Sequence, residues 1–306
     1  MGYPAPRCAP APQSERRAVI AGGTRMVQPP EDGTRERPDN TSRFAYCPAG
    51  GGASVSDGSR LDEVQAYYDN LAPHLVAVEK RNWHLQSRMA IILETIDQHA
   101  LPGGRVLDVG CGTGFLLEQL AKRGFSGVGI DLSPESIAHT QQRLKALGVD
   151  DRLRAEVGSA YEPPEGPFDL ITLTDVLEHL EDPRACLAAV RPQLAEGGLL
   201  VINTPNRRSL PGGRRWLSEH GLSFMKMNLA PVDNWQTWVD LEAHALSVGL
   251  APISRRGIHF RPSGKLGSQL GRIFRYSAPR KAEIALSRTP LGRFGFYICL
   301  GFRAIS

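Results

Sequence analysis

Two constellations in this 306-residue sequence could do chemistry. The first is Asp108-Val-Gly110-Cys111-Gly112-Thr-Gly114, three glycines at alternate positions after an aspartate. A second carboxylate, Asp131, follows 23 residues beyond Asp108. Glycines carry no Cβ to hold a ligand off the backbone. Free N–H groups at the start of a following helix can face an anionic ligand group. Asp131 is placed to accept both hydroxyls of a ribose. The second constellation is Asp175-Val-Leu-Glu178-His179. On a helix, positions i, i+3 and i+4 project from one face. Two carboxylates and an imidazole grouped in this way could take a proton from a hydroxyl. They could also hold a hard divalent ion such as Mg²⁺. The same residues could instead be a helix cap (Asp175), a first-turn acid (Glu178) and a locally packed ring (His179).

Stepping outward, the elements that would position these groups are legible. Val106–Val109 is a short apolar strand running into the glycine turn, Phe115–Arg123 is helix-like, and Gly127–Asp131 is a second apolar strand. Strand, glycine turn, helix, strand, acid is the layout of a nucleotide-type site at the carboxyl edge of a parallel sheet. A dinucleotide fingerprint would put its third glycine at position 115, where Phe115 stands. A P-loop would need Gly-Lys-Ser/Thr, which is absent. Ser133-Pro-Glu opens a helix that Gly148 stops. Leu153–Val157 and Phe168–Thr174 read as third and fourth strands, and a helix from Asp175 through Val190 follows. Glu196–Asn203 is a turn and fifth strand, Glu242–Leu250 a helix, and Phe294–Arg303 a closing antiparallel strand at the sheet edge. Between Leu61 and His99, apolar residues recur at helical spacing, with Pro73 separating two helices.

Composition narrows the class. Hydrophobic residues make up 41% of the chain, enough for a full core, and the net charge is only +4. No run approaches the ~18 apolar residues of a spanning helix. The five cysteines (Cys8, Cys47, Cys111, Cys186, Cys299) have no paired or metal-type spacing, as expected of reduced thiols in the cytoplasm. Residues 1–60 are rich in Pro, Gly, Ser and Arg without an apolar period and read as a disordered extension. Residues 61–306 form the folded domain. Arg207–Pro231 mixes arginines with Trp216, Phe224, Met225 and Met227, which suits a substrate lid or a membrane interface. From Ala243 to Ala282 there is no acid, while eight Arg and Lys occur. Such a stretch could meet anionic lipid, although thin aromatic interleaving makes nucleic acid a poor partner.

The form D-x-G-x-G-x-G, with Gly-Ile-Asp131 after it, resembles motif I of the class I S-adenosylmethionine (SAM) methyltransferases. Motif I, the ribose acid, the fourth-strand motif and the Gly-Gly strand before Asn203 arrive in that family's order over residues 106–206. Asp-x-x-Glu-His resembles the E-x-x-E-H of ubiquinone-biosynthesis O-methyltransferases and of small-RNA 2′-O-methyltransferases, with aspartate for the first glutamate. In both groups that motif is associated with Mg²⁺. Asp233-Asn-Trp resembles the H-D-W segment of the former, with Asp233 where histidine stands. The resemblance implies an α/β, Rossmann-like fold: a mostly parallel seven-stranded sheet, helices on both faces, and an antiparallel last strand. It implies cap helices over 61–100 and a lid over 207–232. Cofactor contacts fall on Arg88, Asp108, Gly110, Cys111, Gly112, Gly114, Asp131, Leu132, Ser159, Ala160 and Thr174, Arg88 facing the methionine carboxylate. Catalytic roles fall on His179, Asp175 and Asp233, and metal ligation on Asp175, Glu178 and His179. The implied reaction is methyl transfer from SAM to a small molecule, foremost at a hydroxyl of an apolar or prenylated compound. RNA 2′-O-methylation, C- or N-methylation and a silent scaffold are the alternatives.

Overall fold

Runs of apolar residues too short for helices become the strands β1 (Arg105–Val109), β2 (Ser126–Asp131), β3 (Leu153–Val157), β4 (Phe168–Thr174), β5 (Leu194–Pro205), β6 (Leu250–Ile258) and β7 (Tyr297–Ala304). Helices α1 (Asp57–Val78), α2 (Trp83–His99), α3 (Phe115–Ala121), α4 (Pro134–Ala146), α5 (Pro183–Val190), α6 (Trp238–Ser247) and α7 (Ser277–Ser287) accompany them. The computed structural model describes residues 57–79, 82–209, 211–213, 232–258 and 277–305. The strands form one sheet in the order β3-β2-β1-β4-β5-β7-β6. β1 pairs in parallel with β2 and β4, β2 with β3, and β4 with β5. β7 runs antiparallel to both β5 and β6. Strand order reverses between β1 and β4, so a crevice belongs at their carboxyl ends, where both constellations lie.

The central strands are mostly apolar because helices cover both faces. Leu107, Val109, Ile171 and Leu173 pack with Leu187 and Val190 of α5 and Leu241 of α6. Val106, Leu170 and Val201 point the other way, onto Ile91 and Ile92 of α2 and Leu116 and Leu117 of α3. The Ser133 hydroxyl caps α4 by accepting from Ser136 N at 3.0 Å, with Pro134 in the first turn as expected. At α6, Thr237 and Asp240 form a reciprocal capping box, which starts the helix four residues earlier than Glu242.

Several expectations change. α1 begins at Asp57, four residues before Leu61, and runs through Pro73 to Val78. Pro73 faces solvent, where the carbonyl it leaves unbonded can be hydrated, so the helix is not broken there. β7 is not an edge strand: it lies between β5 and β6, and β6 forms the edge. The helix expected from Asp175 to Val190 is a 3₁₀ turn, Leu177–His179, followed by α5 from Pro183. The extension before Asp57, most of the lid insert (210 and 214–231) and residues 259–276 of the basic stretch lie outside the described residues. Among the described residues no helix is long and apolar enough to cross a membrane.

α1 is tied to the sheet edge by polar contacts at its middle and just past its carboxyl end. Asp69 Oδ1 accepts from Ser133 Oγ at 2.5 Å and from Glu135 N at 3.3 Å. Buried Glu79 accepts from the Thr113 hydroxyl at 3.3 Å and pairs with Arg143. Arg143 also donates to Glu118 at 2.6 Å and to the Thr113 carbonyl at 2.9 Å. A guanidinium thus joins α1, α3, α4 and the glycine turn. Asp69→Ala removes an acceptor whose charged hydrogen bonds each contribute about 1.5–3 kcal/mol. Amide hydrogen exchange across residues 62–78 is expected to quicken at least tenfold in that variant, with exchange in β1 and β4 unchanged.

Candidate active site

The glycine turn is shaped by three positive-φ glycines that serve different ends. Gly110 (φ 68) has no room for a Cβ, which would overlap Val176 Cγ2. At Gly114 (φ 78) a Cβ would come 2.8 Å from Thr140 Cγ2. Only at Gly112 (φ 53) would a Cβ meet open space. Gly110 and Gly114 are therefore required by protein packing, and Gly112 alone leaves room for a ligand. The turn's N–H groups are also committed internally. Cys111 N donates to Ile130 O at 2.9 Å, Gly114 N to Cys111 O at 3.0 Å, and Gly112 N to Asp131 Oδ2 at 2.9 Å. The Cys111 thiol is buried against Leu117 and Gly129, which leaves it facing the core, and burial raises its pKa well above the ordinary range.

Asp131 sits where the ribose acid was expected. Its Oδ1 accepts from Ser133 N at 2.9 Å, as Oδ2 does from Gly112 N. Each carboxylate oxygen has two lone pairs, so one on each oxygen remains for a ligand hydroxyl. Burial raises its pKa, and the two backbone N–H bonds oppose that rise. Gly158 N donates to Asp131 O at 3.0 Å, which draws Ser159 and Ala160 to the same edge beside Leu132. The Ser159 hydroxyl accepts from Tyr161 N at 3.2 Å. Asp108 lies deeper, fully buried, with Oδ1 accepting from Thr172 Oγ1 at 2.6 Å and Oδ2 without a partner. Burial pushes its carboxyl up to about 7.

The second constellation is differently arranged from the helical expectation. β4 ends at Thr174, and Asp175 takes a left-handed backbone conformation (φ 57) that an L-aspartate adopts at some cost. Its N–H donates to Asn203 O at 2.8 Å. Its Oδ2 pairs with Arg88 at 2.5 Å, while Oδ1 is buried without a partner. Arg88 lies 4.4 Å over the Tyr297 ring. Burial disfavours its charge, but Asp175, Tyr297 and Glu178 hold its pKa above the ordinary value. Arg88 therefore faces an internal carboxylate, the place a methionine carboxylate was expected to take. Glu178 is buried and accepts from Thr204 Oγ1 at 2.9 Å. Burial, then the Asp175 charge, raise its pKa well above the usual carboxylate range.

His179 Nδ1 lies 3.0 Å from the Val232 carbonyl. A carbonyl can only accept, so in the neutral ring Nδ1 carries the proton and Nε2 keeps its lone pair. Asn234 N donates to Glu178 O at 2.6 Å, so residues 232–234 run alongside the turn. Asp233 arrives there too, its Oδ1 accepting from Trp235 Nε1 at 2.5 Å. The three expected metal ligands do not assemble: among the described residues no three His, Cys, Asp or Glu side chains gather as a metal-holding group. With Asp175 turned to Arg88 and Glu178 to Thr204, the residues present do not fit Mg²⁺. Sequence reasoning missed Tyr68 and Tyr297. Tyr68 stands in the Tyr-Tyr-Asp run of α1, its ring 5.5 Å from that of His179. Tyr297 read only as part of an apolar strand.

A model of the methyltransferase domain matches residues 82–249. The chain belongs to that family, of the class I SAM-dependent type. A ubiquinone biosynthesis O-methyltransferase from Hahella chejuensis is 32% identical over 208 residues, covering 66% of this chain and 86% of that protein. One from Xanthomonas campestris is 43% identical over 110 residues, 35% of this chain and 46% of that one. The chain thus spans less than half the length of the Xanthomonas relative it matches. In fold, the methyltransferase domain is similar to the [4+2]-cyclase SpnF (TM-score 0.58, 18% identity, 80% of this chain and 97% of that one). A SAM-dependent methyltransferase structure from Thermotoga maritima gives a TM-score of 0.54 at 16% identity, over 78% and 97% of the two chains. One shared scaffold carrying a cyclase and methyltransferases puts the weight of any functional reading on the site.

The site fits SAM by the open space at Gly112, the spare lone pairs of Asp131 and the orphaned buried oxygens of Asp108 and Asp175. Asp108 also yields a stability prediction. Its carboxyl titrates near 7 in the fold and near about 3.9 unfolded. The fold therefore favours the protonated form. This group's contribution is complete below pH ~4 and is lost as pH rises towards about 7. Asp108→Asn is expected to flatten the urea midpoint across that window, removing a slope of up to about 1.4 kcal/mol per pH unit. Gly110→Ala is expected to unfold at lower urea by about 2–4 kcal/mol, from overlap plus left-handed strain. Gly112→Ala, facing open space, is expected to cost about 1–2 kcal/mol and to weaken SAM binding, measured by calorimetry.

Proposed function

We propose that this protein transfers a methyl group from SAM to a hydroxyl of a small, apolar or prenyl-bearing molecule. The observation that carries the reading is the Asp131 carboxylate, held 2.9 Å from the backbone nitrogen of Gly112, the one of the turn's three glycines that opens onto free space. The ubiquinone biosynthesis O-methyltransferase names of its relatives support hydroxyl chemistry. When bound, SAM supplies an electrophilic methyl on a sulfonium. The residues that would hold it are Asp131 at the ribose, Ser159 and Ala160 beside the base, with Leu132 next to them, and Asp108 and Thr174 at the strand ends. Gly110, Cys111 and Gly114 shape the turn, and Arg88 and Asp175 form the charged wall at the other side.

In this reading the chain does three things. It orients the acceptor for in-line displacement, where holding reactants at near-attack distance lowers the barrier by several kcal/mol. It excludes water beneath α1. And His179 accepts the hydroxyl proton at Nε2, the tautomer being set by the Val232 carbonyl. Asp233 sits on the segment that supplies that carbonyl and serves as a positioning residue. No step is routed through a metal. The composition of the lid segment and of the basic stretch suits contact with an apolar acceptor or a membrane surface, in line with an apolar substrate.

The test is transfer from labelled SAM across simple phenols, prenylated phenols, amines and RNA. Prenylated phenols are expected to be methylated at oxygen, whereas turnover of amines or RNA alone would refute the reading. Asp131→Ala is expected to weaken SAM binding about 100-fold or more in calorimetry, the loss of two hydrogen bonds to a charged acceptor. His179→Ala is expected to lower kcat by about 10²–10⁴ with SAM affinity unchanged. Activity is expected to persist in excess EDTA; loss restored by Mg²⁺ would reinstate the metal.

A further inference from the structure

The hydroxyl of Tyr68 is buried and has no hydrogen-bond partner, although its ring is packed edge-on to His179. A buried donor left unmade costs about 1–3 kcal/mol, and the apolar isostere phenylalanine would avoid that cost. Such a group is explained when a ligand supplies the missing acceptor. The surroundings say what kind. Burial first, then Glu178, with Asp175 and Asp131 adding to it, raises the pKa of this phenol, so it stays a neutral donor at any physiological pH. Glu178 and Asp175 belong to the turn that carries His179, and Asp131 to the opposite wall. Arg88, the cation of this wall, is paired with Asp175.

That arrangement poses an electrostatic problem for a hydroxyl acceptor. As its proton leaves, negative charge builds on an oxygen in a buried site where the Arg88 cation is already paired with Asp175, and burial opposes the step. A donor aimed at that oxygen offsets the cost. We propose that the Tyr68 hydroxyl is that donor: it holds the acceptor oxygen beside His179 Nε2 and stabilises the charge that develops there. The inference rests on the hydroxyl-acceptor reading above. The balance is simple. The acceptor O–H bond breaks and its proton passes to His179 Nε2. The oxygen's electron pair forms the O–CH₃ bond as the S–CH₃ bond breaks, with that bond's electrons remaining on sulfur as a neutral thioether. Tyr68 keeps its proton throughout.

The experiment compares the full-length protein with Tyr68→Phe, which keeps the ring against His179 and removes only the orphaned hydroxyl. The melting temperature is expected to be unchanged or higher. S-adenosylhomocysteine affinity is expected to stay within twofold, while kcat for 2-prenylphenol falls about 10- to 100-fold. The deficit is expected to shrink for the more acidic 4-nitro-2-prenylphenol, whose oxygen needs less help, and a merely structural role would not produce that trend. Equal turnover by both proteins, a deficit independent of phenol acidity, a lowered melting temperature, or a loss of S-adenosylhomocysteine affinity would each overturn the proposal while leaving hydroxyl methylation standing. Wild-type protein that binds S-adenosylhomocysteine but methylates neither phenol would overturn both. Wild-type protein that does not bind S-adenosylhomocysteine would remove the cofactor reading itself.

Discussion

The carboxylate of Asp131 is the joint on which the site turns. One oxygen takes the Gly112 N–H and the other the Ser133 N–H, each at 2.9 Å. Ser133 in turn caps α4 and donates through its hydroxyl to Asp69 of α1. A single run of hydrogen bonds therefore passes from the glycine turn through the end of β2 and the start of α4 to the helix that covers them. Because charged acceptors make the stronger bonds of this kind, the geometry of the turn and the docking of α1 are not independent. Any ligand that engages the spare lone pairs of Asp131 pulls on both.

Opposite that joint the wall is dominated by charge. Asp175, strained into the left-handed region, reaches Arg88, and Arg88 spreads over Tyr297. The pair is partly buried, so solvent and salt screen it less than they would a surface pair. Glu178 beside it is held towards its neutral form by burial and by the Asp175 charge, and Arg88 offsets Asp175, so the wall carries little net charge.

What was legible in the sequence was the part set by local rules. Val106 to Gly114, Asp131 at its distance, and the Ser133-Pro134 helix start all depend on backbone sterics and capping, which neighbouring residues specify. Three readings failed for reasons that adjacent residues do not carry. Pro73 stays within α1 because its side of the helix faces water. The Asp175–His179 run matches a helical face in spacing, yet the Arg88 contact and the Asn203 carbonyl hold Asp175 out of the helical region. Tyr68 and Tyr297 come from opposite ends of the domain and meet the site only through the fold. The Tyr67-Tyr68-Asp69 run resembles an opening segment of the family without giving Tyr68 a role, and Tyr297 gave no signal beyond that of a buried tyrosine.

β7 occupies an interior position in the sheet, hydrogen-bonded on both sides. β6 precedes it in the chain yet touches the sheet only through it, with residues 259–296 in between. During synthesis β6 leaves the ribosome with no strand to pair with, and β5 offers a bare edge for the same interval. At about 5–20 residues per second, that interval lasts seconds. For that time the nascent domain presents unpaired backbone on two strands at once, the condition in which chains add to one another. Chaperone dependence of this protein should therefore be concentrated between the emergence of β6 and that of β7, after the first five strands have already formed.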